Sequence, residues 1–317
     1  MRAVPTQSSS LFVPAGRGEH SLARGLWRLA DPKIGLASLV PFCAGVALAW
    51  RSAEHFEPLL AVMAFAAIFL VEVGKNAVND FYDFRSGADT AVRPDERSPF
   101  SGGKRVLVDG LLTENDLVWI ACLSFCGATM LGWTVAVRTS LWLLLLGAAA
   151  ALISILYAMP PVQLSYRGLG ELAVFLVYGP GIVLGATMLA GGTVSAEIVA
   201  AATTLGFLIA NVLLANEIPD ERADALAGKN TLVVRMGRRR ATTFIGLVFC
   251  CAFVIPLALA AAGEAMWMTG ALAGVPFAAF AFWSLVRKTS GPPVVAQTAV
   301  LVTYVVTGAG LVTGAVL

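Results

Sequence analysis

Apolar residues in this chain come in long unbroken runs rather than in alternation. The runs fall at 34–50, 57–79, 117–137, 140–159, 170–190, 196–217, 241–262, 266–286 and 294–316, each about 17–23 residues. A helix of that length, at 1.5 Å rise per residue, crosses a hydrocarbon core of roughly 30 Å. The pattern predicts an all-α fold, a polytopic transmembrane helical bundle of about nine helices. It also predicts one membrane domain over 31–317. Residues 1–30 read as a flexible tail (Ser8, Ser9, Ser10, Pro14, Gly16) leading into an interfacial segment with Arg24, Trp27 and Arg28. Trp beside Arg at a membrane boundary is the usual anchor.

Composition sharpens this picture. Of 317 residues, 58% are hydrophobic and 13% charged, and the mean hydropathy is +0.79. Soluble domains carry roughly 25% charged residues, so the expected solvent of this chain is the lipid bilayer. A net charge of +2 gives no reason to expect a nucleic-acid partner. Cys43, Cys122, Cys126, Cys250 and Cys251 all lie in apolar runs, where cysteine acts as a small hydrophobe. With only His20 and His55 available, no zinc site is expected.

Charge placement adds orientation. Nineteen of the 22 basic residues lie on one side of the predicted bundle; Arg51 and Arg138 lie on the other, and Lys75 within a run. By the positive-inside tendency, the N-terminus and the loops after the second and sixth helices are cytoplasmic and the C-terminus is exterior. The chain then reads as a multi-pass protein of a bacterial inner membrane. Carboxylates are equally uneven: 12 of 20 fall within 80–116 and 217–224. The opposite connections are short and nearly featureless, so the chemistry is expected on the cytoplasmic face.

Two motifs dominate that face. The first runs Asn76-Ala-Val-Asn79-Asp80-Phe-Tyr-Asp83-Phe-Arg85-Ser-Gly87-Ala-Asp89 and the second Asn216-Glu217-Ile-Pro219-Asp220-Glu221-Arg222-Ala-Asp224. On helices, Asn76, Asp80 and Asp83 share one face, as do Asn216, Asp220 and Asp224. Grouped carboxylates repel one another unless a cation lies between them. Mg²⁺ takes oxygen ligands, keeps several waters, and binds one or two carboxylates together with substrate phosphates. Asp80, Asp83, Asp220 and Asp224 are thus the candidate Mg²⁺ ligands and catalytic residues. Asn76, Asn79, Arg97, Lys104, Arg105, Asn216 and Lys229 are candidates for holding a diphosphate. Ser101-Gly102-Gly103-Lys104-Arg105 suits an anion-binding loop, because glycines let backbone amides approach. Asp109 and Asp116 read as solvated loop charges.

These motifs resemble those of the UbiA superfamily of intramembrane prenyltransferases, over nearly the whole chain from about Leu26. Asn79 to Asp89 is similar to its NDxxDxxxGxD motif. Asn216 to Asp224, with Gly228-Lys229-Asn-Thr231-Leu232, is similar to its second motif and tail. Tyr166-Arg167-Gly168-Leu169-Gly170-Glu171 and Gly179-Pro180 resemble the branch acting on 1,4-dihydroxy-2-naphthoate, the MenA-like enzymes. The resemblance implies a bundle cavity open to lipid, a polyprenyl diphosphate substrate bound through Mg²⁺, and an aromatic acceptor attacking an allylic cation on the route to menaquinone. Phe81, Tyr82, Phe84, Tyr157 and Tyr178 are candidate faces for that cation; Lys33 and Tyr157 are candidate acceptor contacts. Many relatives have Arg-Pro before the first helix, where this chain has Asp31-Pro32-Lys33, and often Lys where it has Ser165, which touches the acceptor more than the reaction. The competing readings are another acceptor or a cyclase on the same fold. A secondary transporter would place its polar sites near the midplane.

Overall fold

The computed structural model describes residues 19–50, 56–287 and 292–317, without the side chains of 32–34. The expectations for Lys33, Arg2, Arg17, Arg51, Lys288 and the serine-rich tail lie outside the described residues. Every apolar run becomes helix. In chain order the helices are α1 (Leu22–Ala30), α2 (Pro32–Trp50), α3 (Pro58–Ser86), α4 (Glu114–Arg138), α5 (Trp142–Leu156), α6 (Gly170–Leu189), α7 (Ala196–Leu226), α8 (Arg238–Ala261), α9 (Met266–Val286) and α10 (Val294–Val316). Among the described residues, seven are long and apolar enough to cross a membrane. A bent pair, α1 with Gly35–Trp50 of α2 at 45°, makes an eighth, and α5 is a shorter apolar helix. The chain is an integral multi-pass membrane protein.

Local chemistry sets the helix ends. Ser21, Thr113, Ser195 and Thr231 cap helices by accepting a backbone N–H from three residues ahead. Gly87 ends α3 in the left-handed conformation, at φ 87°. Within α6, Val177–Gly181 forms a π-helical turn around Pro180. Gly179 there packs so tightly on α7 that a Cβ would lie 2.6 Å from the Ala202 carbonyl oxygen. Tryptophans Trp119 and Trp133 of α4, 67% and 55% exposed, face outward with its leucines, as lipid-facing positions do.

Helix α7 runs through the middle of the bundle, with Ala201, Ala202, Leu205 and Leu208 fully buried. Two helices exceed the predicted spans. α3 has 29 residues and α7 has 31, about 44 and 46 Å at helical rise, against a core of roughly 30 Å. Their last turns carry both Asp motifs as helix rather than as loop. Over them folds segment 93–112, whose Val106, Leu107, Leu111 and Leu112 are buried against Leu29 of α1 and Val73 and Ala77 of α3. The cap therefore has an apolar core of its own.

Two corrections belong here. Asp109 is ion-paired with Arg28 and with Arg105, and Asp116 closes the capping box with Thr113 while accepting from His20 at 2.9 Å. Neither is a freely solvated charge. Both pin the cap to α1 and α4.

Candidate active site

The C-terminal turns of α3 and α7 bring the two motifs together beneath the cap. Asp83 stands at the junction, 3% exposed. Its Oδ1 accepts from the Tyr166 hydroxyl at 2.7 Å. Its Oδ2 accepts from the Lys229 ammonium and the Asn79 amide, each at 2.9 Å. The same ammonium lies 3.9 Å from Asp224 Oδ1 of the second motif. Lys229 is placed there because Gly228, at φ 74°, turns the chain back after α7 and the Lys229 N–H donates to the Asp224 carbonyl at 2.8 Å.

Asp80 and Asp220 face the glycine loop instead. Asp80 accepts three backbone N–H groups, from Arg105 at 2.8 Å, Val106 at 3.1 Å and Leu107 at 3.3 Å. Asp220 Oδ2 accepts from the Gly102 N–H at 3.0 Å, while its Oδ1 is buried without a partner. Asp89 is buried and its Oδ2 is also unpartnered. Gly103, at φ 74°, lies so close that a Cβ would collide with the Asp89 carboxylate. A glycine is required there on both counts.

The electrostatics follow from crowding. Burial and then the Asp83 and Asp80 charges push the Asp89 carboxyl well above the ordinary range. Burial alone would depress the Lys229 ammonium, but Asp83 and Asp224 outweigh it and hold it firmly protonated. Burial, followed by the Asp83 charge, raises the Tyr166 hydroxyl as well. One lysine cannot neutralise this many carboxylates, which leaves demand for a further cation.

Mg²⁺ fits that demand by donor chemistry. Among the described residues, no three Asp, Glu, His or Cys side chains stand close enough to ligate one ion by themselves. However, the donors are all oxygens, and Asp220 and Asp89 each keep one buried oxygen without a hydrogen-bond partner. An ion that takes one or two carboxylates and completes its shell with phosphate and water needs no tighter cluster.

The other predicted residues divide. Arg105 contributes its backbone N–H, while its guanidinium holds the Asp89 carbonyl at 3.0 Å. Tyr157 lies within electrostatic reach of Lys229, and its carbonyl accepts from Ser165. Asn76 turns away, its amide donating to the Leu29 carbonyl at 2.7 Å and tying α1 to α3. Asn216 accepts from Gln297 of α10 at 3.3 Å. Lys104 pairs with Asp31, and Arg97 is exposed on the cap. Sequence reasoning left two participants without a role: Asp89, the closing residue of the first motif, and Tyr166, in the segment before α6. Their places in the motifs were the available signal.

The chain has recognisable relatives among known proteins. Residues 38–311 match the model of the UbiA prenyltransferase family. A 1,4-dihydroxy-2-naphthoate octaprenyltransferase of Bacillus subtilis is 27% identical over 259 residues, 81% of each chain. The enzyme of that name from Escherichia coli is 30% identical over 232 residues, 70% of this chain and 73% of its own. Among solved structures, a UbiA homologue from Archaeoglobus fulgidus bound to GPP and Mg²⁺ superposes with a TM-score of 0.66 at 14% identity, covering 91% of this chain and 99% of that one. That last likeness is one of fold. The chain belongs to the UbiA prenyltransferase family and is a prenyltransferase.

Proposed function

We propose that this enzyme transfers a polyprenyl group from polyprenyl diphosphate to 1,4-dihydroxy-2-naphthoate, with Mg²⁺ held between the two Asp motifs. The observation that carries this reading is the Lys229 ammonium standing between Asp83 and Asp224. It closes the two motifs into one buried acidic site with open carboxylate oxygens. The kinship with naphthoate octaprenyltransferases supplies the acceptor.

Asp80, Asp83, Asp220 and Asp224, with Asp89 beside them, would hold the ion, which when bound neutralises charge on the departing diphosphate. The protein's own groups do the remainder. Tyr166, Asn79 and Lys229 fix the Asp83 carboxylate in place. Asp80 anchors the glycine loop, so that the 102–105 backbone is held over the site before substrate arrives. As the substrate C–O bond breaks, its electron pair leaves on the diphosphate, and the allylic fragment is exposed to the apolar bundle rather than to water. A ring carbon of the acceptor then forms the new bond, and the carboxylate it carried leaves as carbon dioxide, returning its bonding pair to the ring. The site and the N-terminus face the cytoplasm in this reading, and the C-terminus is exterior.

The test is direct. Purified protein with Mg²⁺ and polyprenyl diphosphate is expected to give a prenylated product from 1,4-dihydroxy-2-naphthoate and none from 4-hydroxybenzoate. Turnover of the benzoate alone would assign another acceptor.

A further inference from the structure

Below the Asp motifs, on the membrane side, lies a second polar group that the site just described does not use. Glu72 of α3 is 4% exposed and lines an apolar cavity of about 190 Å³ between α2, α3, α4, α5 and α6. Phe125, Thr129, Leu143, Ala151 and Tyr178 form much of its wall. Ser38 of α2 donates its hydroxyl to Glu72 Oε1, while Glu72 Oε2 is buried with no hydrogen-bond partner. Lys75, one turn along α3, also lines the cavity and donates to the Tyr178 hydroxyl at 2.8 Å.

An ionisable side chain at this depth is costly, and such residues mark functional sites far more often than structural ones. A purely structural Glu72 would have both oxygens satisfied, since an unpaired buried acceptor costs about 1–3 kcal/mol. Instead one oxygen is braced and the other is open. Glu72 and Lys75 are three residues apart and share a helix face. They present a proton acceptor beside a cation. That pair is complementary to an aromatic ring bearing a hydroxyl next to a carboxylate. The position also suits the reaction, for Glu72 precedes Asp80 by two helical turns, roughly 12 Å along the axis. A ring seated there would meet the first carbon of a prenyl chain whose diphosphate is held at the Asp motifs.

Resting on the transfer reading above, we infer that the Glu72–Lys75 face of this cavity is the subsite for a hydroxylated aromatic acid, with Glu72 as the catalytic proton acceptor. As the ring carbon bonds to the allylic cation, the acceptor O–H electrons become the second bond of a C=O group and the proton passes to Glu72 Oε2. The attacked carbon then loses its carboxylate as carbon dioxide. The bonding pair returns to the ring, and Glu72 gives its proton back to the ring oxygen. Lys75 pairs with the acceptor carboxylate and is itself oriented by Tyr178. The other titratable groups facing Glu72 are Tyr178 from α6 and Tyr304 from α10, with Lys104 and Asp31 acting at longer range from the cap and the α1–α2 junction. Tyr178 also interacts with the Glu72 carboxylate as a hydrogen-bond partner, while Oε2 has no partner at ordinary hydrogen-bond geometry.

The experiment compares wild type with Glu72→Gln, Glu72→Asp and Lys75→Met in full-length detergent-solubilised protein. Two quantities are read: acceptor-dependent kcat and KM with dihydroxynaphthoate, and the Kd of polyprenyl diphosphate with Mg²⁺. Glu72→Gln keeps the shape and the Ser38 hydrogen bond but cannot take a proton, so kcat should fall on the order of 10²-fold or more, with the diphosphate Kd unchanged. Glu72→Asp should recover part of the loss, and Lys75→Met should raise the acceptor KM above all. A competitor in which the acceptor hydroxyls are methylated should bind wild type more weakly than the parent acid. That measurement needs no variant and stands if Glu72→Gln folds poorly. Wild-type kcat in Glu72→Gln overturns the inference and leaves the transfer reading intact. An equal weakening of polyprenyl diphosphate binding also overturns it, because the cavity would then hold the prenyl chain. Failure of wild type to prenylate any hydroxylated aromatic acid overturns the transfer reading and the subsite with it.

Discussion

Substituting Asp83 by Asn tests the centre of the site. The change preserves size and lets the Tyr166 and Asn79 contacts re-form, but removes the negative charge that faces Lys229. In the native protein the Lys229 ammonium is 2.9 Å from Asp83 and 3.9 Å from Asp224. With an effective dielectric constant near 20, those separations correspond to roughly 6 and 4 kcal/mol of Coulomb attraction. Lys229 would therefore keep the larger part of its attraction by moving wholly to Asp224, and the fold should survive. Asp224, however, would then be engaged by lysine, so the variant loses two of the carboxylates proposed to hold Mg²⁺ for one substitution. Loss of one preorganised electrostatic contact typically costs about 10²–10³-fold in rate, and the expected loss here lies at or beyond the upper end. The assay is product formation against Mg²⁺ concentration, with thermal unfolding as the control. Half-saturation by Mg²⁺ should move upward and the unfolding midpoint should change little. Near-wild-type turnover with unchanged Mg²⁺ dependence in both Asp83→Asn and Asp224→Asn would refute the two-motif site.

Reporter fusions after Leu112 and after Leu232 should both read cytoplasmic, as the 19-to-2 basic asymmetry requires; an exterior signal from either would overturn the orientation. Asp116→Ala should cost about 1 kcal/mol of stability through loss of the α4 cap, with turnover within a few-fold of wild type. Thr113 backbone and then His20 hydrogen bonds hold the Asp116 carboxyl down at about 2. Its contribution should thus be fully present above the unfolded carboxylate range and fade as pH falls from about 4 through 2. Thermal melts of wild type and variant should converge in that window, and equal separation at pH 7 and pH 2 would be the contrary result.

The membrane helices were legible because hydropathy in lipid is a strong, local signal. The ends of α3 and α7 were not. Charged residues after position 79 and after position 217 lower the hydropathy, yet the helices continue through Ser86 and Leu226. Gly87 was the readable stop for α3, since a left-handed residue commonly closes a helix. The helical spacing of the Asp motifs was likewise readable. What escaped was everything set by long-range partners. Asp109 meets Arg28 across 81 positions and Asp116 meets His20 across 96, and no local pattern announces such pairings. Thr113-x-x-Asp116 was readable as a capping box, and counting its carboxylate as solvated overlooked that signal.

The structure also separates four aspartates that the motifs present as equivalent. Both Asp80 oxygens are taken by the three consecutive amides of Arg105, Val106 and Leu107. Its neighbour on the same helix face, Asp83, is held only by side chains that can rearrange. Between them the Gly102 amide reaches Asp220, so a single loop is tied to the first motif at 105–107 and to the second at 102. That loop is in turn seated by Val106, Leu107, Leu111 and Leu112 in an apolar core shared with α1 and α3. The consequence is a division of labour. Asp80 and the buried leucines determine where the glycine backbone sits, while Asp220 and Asp89 each keep one buried oxygen without a hydrogen-bond partner. Repetition of the aspartates along each helix therefore serves two purposes. Asp80 of the first motif and Asp220 of the second contact the cap, and Asp83 and Asp224 flank the Lys229 ammonium.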